Sequence, residues 1–317
     1  MVAPIIINNV IVSPGKSEVI KIPVGRLPSG NQIYIKAHVF HSRRRGPVML
    51  VLGGMHGDEI NGVEIVRQAI ISRMFSELER GSVIAIPLLN VYGFINFSRD
   101  VTDGKDVNRS FPGSAAGSLA SRIARLLMRK IIPHIDFGID FHTGGKGLYN
   151  YPQIRFSAAD PRALELAKAF GAPYLVEMPI IRKSLRSAVQ KSNKTILVFE
   201  GGESLRYDGF SIQKAMEGIE RLMVAKKMIH KTIAPESSIL FKKSTWMRAS
   251  KPGLFIWYKS AGQEIQKGEP IGAISDPFAT EEIMLYAPRK GYLIGHNNAP
   301  VVNQGDPLFH IGFNARK

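Results

Sequence analysis

The chain has 317 residues, 44% of them hydrophobic, enough for one sizeable core and a smaller companion unit. It carries 42 Lys and Arg against 26 Asp and Glu, a formal charge of +16, and no cysteine, which removes disulfides and thiolate metal ligands and leaves imidazole and carboxylate to hold any metal. No apolar stretch reaches the ~18 residues of a membrane span, and residues 1–8 lack the basic start and long apolar core of a secretory signal, so the sequence reads as cytoplasmic with no membrane partner.

From Ile5 to Phe40 short β-like runs are broken by Pro14-Gly15, Pro23 and Pro28-Ser29-Gly30, the texture of a hairpin region, residues 1–46, joined to a larger sheet. Pro47 to Leu52 is a continuous apolar run, a strand buried on both faces, and it ends at Gly53-Gly54, where the chain can turn sharply. His56 and Glu59 follow, three residues apart, close enough for an imidazole and a carboxylate to reach one ion. Helical spacing then runs from Ile60 to Arg80, and Val83 to Leu88 is again strand-like.

Arg99 and the segment Asp106 to Gly113 read as loop before a helix from Leu119 to Ile132. Asn108 and Arg109 offer an amide and a two-pronged donor that suit a carboxylate, and Arg99 could reach a developing oxyanion. A single loop arginine is more often a solvated charge, so these residues count only with the rest of the constellation.

Phe137 to Phe141 is another buried strand with His142 at its carboxyl end, the edge where open α/β sheets gather ligands. A lone histidine there is more often structural, and H-x-x-E recurs by chance. Matching strand-end contexts make His56, Glu59 and His142 a two-His, one-carboxylate set of the kind that holds catalytic zinc with a position left open. After a helical pattern from Arg162 to Phe170, the strand Thr195 to Phe199 ends in Glu200, a carboxylate costly to bury without a partner and suited to general base work beside a metal. Glu203 competes for that role, and strand context favours Glu200. A helix from Ile212 to His230 completes the alternation, which predicts an α/β domain over residues 47–235, a mixed sheet flanked by helices.

After Pro235 short runs are punctuated by turn signals such as Lys251-Pro252-Gly253 and Gln304-Gly305-Asp306, predicting a smaller all-β domain over residues 236–317. The basic clusters at 41–45, 182–194, 226–231 and 242–243 mostly lack interleaved aromatics for base stacking, so no nucleic-acid partner is expected, and the charge is better suited to steering a small anionic substrate. Assembly into a homo-oligomer is left open by composition.

The strings Gly53-Gly54-Met55-His56-Gly57-Asp58-Glu59, Arg99 with Asn108-Arg109-Ser110-Phe111-Pro112-Gly113, Asp140-Phe141-His142-Thr143-Gly144 and Phe199-Glu200-Gly201-Gly202 together resemble the succinylglutamate desuccinylase/aspartoacylase family, relatives of the zinc carboxypeptidases. The resemblance runs from about Pro47 to Glu203 and more loosely to the C-terminus. It implies a zinc carboxypeptidase-like fold, one Zn2+ per chain held by His56, Glu59 and His142, and Asn108 and Arg109 as holders of a substrate carboxylate. It further implies Arg99 polarising the scissile carbonyl and Glu200 as general base. Arg186, in Ser184 to Ala188, matches a substrate-binding segment of a less characterised deacylase branch. Lys191 to Lys194 departs from the Gly-Ile-Pro turn that relatives often carry there, which puts the pocket outline outside the pattern.

Gly262 to Ile274 and Ala287 to Tyr292 resemble the biotinyl/lipoyl-like hammerhead that closes the same branch. A carrier needs a lysine at its hairpin tip and Ser275 to Pro288 has none, so this region reads as structural or substrate-gating. The expected activity is hydrolysis of the amide of an N-acyl amino acid or similar small anionic amide. The alternatives are a metallocarboxypeptidase, a zinc esterase, or a metal-binding protein without catalysis.

Overall fold

A computed structural model describes residues 2–234 and 236–316. The expected boundary residue Pro235 lies outside them. β1 (Ile5–Ile7) and β2 (Val10–Val12) form a small antiparallel ribbon, and β3 (Ser17–Arg26) and β4 (Gln32–His41) form the long N-terminal hairpin. In the hairpin, buried Ile20, Ile22, Ile35 and Ala37 alternate with exposed Lys21, Tyr34 and Lys36, the period of a sheet with one face on the core.

The centre of the molecule is parallel. β5 (Val48–Leu52) leads through α1 (Ile60–Ile71) to β6 (Ser82–Ile86) and α2 (Val91–Ile95), then α3 (Leu119–Lys130), β7 (Phe137–Gly144), β8 (Leu148–Phe156), α4 (Pro161–Phe170), β9 (Tyr174–Glu177), α5 (Leu185–Gln190), β10 (Thr195–Glu203) and α6 (Gly209–Ala225). β6, β5, β7 and β10 lie side by side and run in one direction, with β4 antiparallel beyond β6 and β8 antiparallel beyond β10. Alternate side chains divide the core. Met49, Val51, Leu197 and Phe199 pack with Ile65, Phe170 and Leu222 of α1, α4 and α6 on one face. Leu50, Leu52 and Ile196 pack with Ile123 and Leu127 of α3 and with Leu185 and Val189 of α5 on the other. Ser118, Asp160 and Asp208 accept backbone N–H bonds at the starts of α3, α4 and α6, fixing where those helices begin.

One helix is shorter than its pattern. The apolar spacing continues past Ile71, but Arg73 adopts φ 59° and a single 3-10 turn, Met74–Glu77, follows. In a continued α-helix Phe75 would stand about 280° around from Ile65, off the buried stripe. Breaking the helix instead returns Phe75 to the core, 1% exposed and 5.3 Å from the ring of Phe40. The last long helix likewise ends at Ala225 rather than His230, with Lys227 at φ 54°.

The C-terminal region is all β: β11 (Ile239–Arg248), β12 (Gly253–Trp257), β13 (Glu264–Ile265), β14 (Pro270–Ser275), β15 (Glu282–Tyr286), β16 (Gly291–Asn297), β17 (Val301–Val302) and β18 (Pro307–Arg316). Only part of it is a separate sheet. β12, β14, β15 and β17 form a four-stranded sheet around Phe255, Ile271, Ile274 and Leu285, whereas β11 pairs with β9, β16 pairs with β8, and β18 joins them, carrying the central sheet to twelve strands. None of the helices among the described residues is long and apolar enough to cross a membrane.

Candidate metal centre and active site

His56 and Glu59 sit on the tight loop between β5 and α1. The loop passes so close to α2 that a Cβ at Gly57 would fall 1.9 Å from the Gly93 carbonyl carbon, so only glycine fits between His56 and Asp58. His142 lies within β7, two residues after Asp140 and on the same side of the strand. Glu200 on β10 is paired in register with His142, so base candidate and ligand candidate stand on adjacent parallel strands about 4.8 Å apart.

His56, Glu59 and His142 are buried and converge, each offering a ligand atom within 4.8 Å of the others. His56 Nδ1 is 2.7 Å from Glu59 Oε1, His142 Nδ1 is 2.7 Å from Glu59 Oε2, and the two Nδ1 atoms are 3.1 Å apart. Each ring is backed by a carboxylate on its far side, His56 Nε2 by Asp106 at 3.2 Å and His142 Nε2 by Asp140 at 2.9 Å. With a proton on each Nε2 facing those carboxylates, both Nδ1 lone pairs turn toward one another and toward Glu59, an arrangement that a shared cation satisfies. Two imidazole nitrogens on a tetrahedral zinc would lie about 3.3 Å apart, close to the separation seen. The donor set therefore fits a divalent metal.

The electrostatics agree. Burial opposes a charge on either imidazole, yet Glu59 and Asp106 outweigh it at His56, and Asp140 and Glu59 outweigh it at His142, so both sit above the ordinary histidine value, His142 well above. Burial likewise opposes ionisation of Glu59, but the two histidines hold its carboxyl well below the usual range. The pocket thus attracts positive charge, for which protons and a metal would compete.

Around this centre lies a cavity of about 260 Å³. Arg99 lines it, its Nη1 3.1 Å from Glu59 Oε1 and its Nη2 donating to Asp106 Oδ2 at 2.9 Å. Asn108 Oδ1 accepts the Leu185 N–H at 2.9 Å, which anchors the loop to α5, and Arg109 Nη1 donates to the Asn108 carbonyl at 2.9 Å. Both line the cavity, as does Arg186, a half-buried residue whose guanidinium donates to the Arg155 carbonyl at 3.4 Å. Burial, helped by neighbouring Arg155, pushes Arg186 down to about 10. All eight residues singled out in the sequence thus border one cavity. Glu203 is not among its lining residues; its carboxylate accepts from Asn298 Nδ2 at 2.6 Å.

Several residues in or around the cavity escaped the sequence reading. Asp140 is one that could have been found, since Asp-x-His on a strand places both side chains on one face. Asp106, backing His56, lies in a quoted segment but carried no role. Asn150 and Arg155 of β8 contact Glu200, at 3.0 and 2.8 Å. Trp246 of β11 and His310 of β18, stacked at 4.5 Å, supply a wall from the C-terminal region. His310 is pushed down to about 3 by burial and by Arg155, so it is a neutral ring.

The model of the succinylglutamate desuccinylase/aspartoacylase catalytic domain matches residues 45–225, more than half of the chain. The N-alpha-acetyl-L-2,4-diaminobutyric acid deacetylase of Halomonas elongata is 29% identical over 84% of this chain and 82% of its own length. Among solved structures, the product-bound ectoine utilization protein EutE (DoeB) of Ruegeria pomeroyi superposes with a TM-score of 0.83 at 23% identity, covering 94% of this chain and 95% of that one. A succinylglutamate desuccinylase/aspartoacylase of Rhodobacter sphaeroides gives 0.81 at 26% identity, covering 95% of each chain. On the catalytic-domain match, with the fold running through the C-terminal strands as well, the chain belongs to the succinylglutamate desuccinylase/aspartoacylase family.

Proposed function

We propose that the protein is a zinc-dependent deacylase that hydrolyses the amide of an N-acyl amino acid or a similar small anionic amide. The observation that carries this reading is the facing pair of Nδ1 atoms with Glu59 between two backing carboxylates, opening onto the same cavity as Glu200, Arg99, Asn108 and Arg109. Membership in a deacylase family and the similarity to a deacetylase of an N-acetylated amino acid support it. Zinc held by His56, Glu59 and His142 would supply Lewis acidity and bring the pKa of a coordinated water toward ~7.

The chain's own groups do the rest. Asn108 and Arg109 hold the substrate carboxylate and set the amide carbonyl in the cavity. Glu200 takes a proton from the attacking water and returns it to the nitrogen as the C–N bond breaks, so the amine leaves neutral and the acyl group leaves as a carboxylic acid. Arg99 lies beside the ligand set and donates to the carbonyl oxygen as that oxygen gains negative charge.

Purified protein freed of metal by chelation and reloaded with zinc should release acid from some N-acetyl, N-succinyl or N-formyl amino acid, and Glu200→Gln should lose turnover while binding zinc normally. Activity untouched by chelation removes the metal from the chemistry. Release of C-terminal residues from short peptides, with N-acyl amino acids left intact, would instead make the protein a carboxypeptidase.

A further inference from the structure

Glu200 has both carboxylate oxygens engaged by side chains of one neighbouring strand. Arg155 Nη1 lies 2.8 Å from Oε1, and Asn150 Nδ2 donates to Oε2 at 3.0 Å. We propose that Arg155 and Asn150 form a clamp that positions the Glu200 carboxylate for proton transfer. The proposal rests on the reading of Glu200 as general base given above.

The backbone explains how one strand grips from two sides. β8 runs antiparallel to β10 with Val198 opposite Arg155 and Glu200 opposite Gln153, and the register then shifts so that Gly202 faces Asn150. Gly202 takes φ +80°, and a Cβ there would meet Asn61 Nδ2 at 2.4 Å, so glycine permits the irregularity that sets Asn150 beside Glu200. Asn150 is itself held from the far side. It is 3% exposed and pairs with Gly295 of β16, where a Cβ would lie 2.6 Å from the Tyr149 carbonyl oxygen. The C-terminal strands thereby reach the base through Asn150.

Chemistry requires such a clamp. An ionised carboxylate offers about four lone-pair sites, and the two donors occupy one on each oxygen, leaving one on each for water. A glutamate has three rotatable side-chain bonds, and a displacement near 1 Å can cost about 100-fold in rate. Among the described residues Glu200 is the only carboxylate that pairs with Arg155.

The test uses zinc-loaded full-length protein and the N-acyl amino acid turned over fastest in the screen above. Arg155→Met should lower kcat by roughly 10- to 100-fold with KM moved less than about threefold, and Arg155→Lys should recover much of the loss. Asn150→Ala should behave like Arg155→Met, and crystal structures of both should show the Glu200 side chain in a different rotamer. Zinc content and circular dichroism check that each variant is folded, and Arg155→Lys and Asn150→Ala carry the comparison if Arg155→Met is not. The clamp is overturned if Arg155→Met raises KM at unchanged kcat or leaves the carboxylate unmoved. An active Glu200→Gln protein sinks the base itself, a separate result from a failed clamp.

Discussion

Asp140 is the sharpest place to probe the metal centre. It is 1% exposed, one oxygen accepts from His142 Nε2 at 2.9 Å, and the other, Oδ1, has no partner among the described residues. A buried carboxylate half without a donor is costly by itself and is sustained by the positive charge drawn to the opposite side of the ring. Asp140→Asn keeps the shape and an oxygen able to accept from Nε2, but removes the charge that makes His142 a strong donor. Loss of such a backing group typically costs 10- to 100-fold in metal affinity, about 1.4–2.8 kcal/mol. Zinc affinity, measured at fixed pH by competition with a chromophoric chelator, should weaken by that factor while the far-UV spectrum stays unchanged. Equal affinity in the two proteins would refute the assignment of His142 Nδ1 as a ligand oriented by Asp140.

Three further outcomes follow from the same geometry. Zinc added to metal-free protein at about 100 times its Kd should stabilise it by about 2.7 kcal/mol, seen as a rise in Tm, and Glu59→Gln should abolish most of that rise; a full rise in the variant would remove Glu59 from the ligand set. Arg109→Ala should raise KM at least about tenfold with a smaller change in kcat, the mark of a group that grips substrate before and during reaction alike; an unchanged KM would leave Arg109 a surface charge. His310 stays neutral in the fold down to about 3 while in the unfolded chain it protonates near its ordinary value of 6.5. Its contribution is therefore intact above that value and falls away as pH drops, by at most about 1.4 kcal/mol per unit. The stability difference between wild type and His310→Phe should narrow or reverse from pH 7 to 5 in chemical denaturation, and parallel curves would contradict a buried neutral ring.

How much of this was legible in the sequence depended on distance along the chain. His56, Glu59, His142 and Glu200 each end or follow an apolar run, so strand periodicity alone set them on one edge of a parallel sheet, and β5, β7 and β10 indeed run side by side. Asn150, Arg155, Trp246 and His310 come from β8, β11 and β18, whose pairing partners no local pattern encodes, so their arrival at the pocket was invisible. Arg186 belongs to a basic run that would ordinarily read as a solvated face. Yet Leu185, Ala188 and Val189 bury α5 against the sheet and carry that one guanidinium to the cavity.

The same reasoning explains why the C-terminal region was legible as β but not as part of the site. Alternation and turn residues specify a strand and its two faces, and are silent on which sheet completes it. Here β9, four residues long, offers one edge to β11, and β8 offers its end to β16, so strands that could have closed on themselves continue the catalytic sheet instead. That continuation sets the Trp246–His310 wall against the cavity and places Gly295 behind Asn150. A variant that weakens the β16–β8 pairing, such as Gly295→Val, should therefore lower kcat through Glu200 while zinc binding by His56 and Glu59 on the β5–α1 loop and by His142 on β7 persists. Loss of zinc and turnover together would mean that the two regions fold as one cooperative unit, and turnover unchanged would mean that the C-terminal strands do not reach the base.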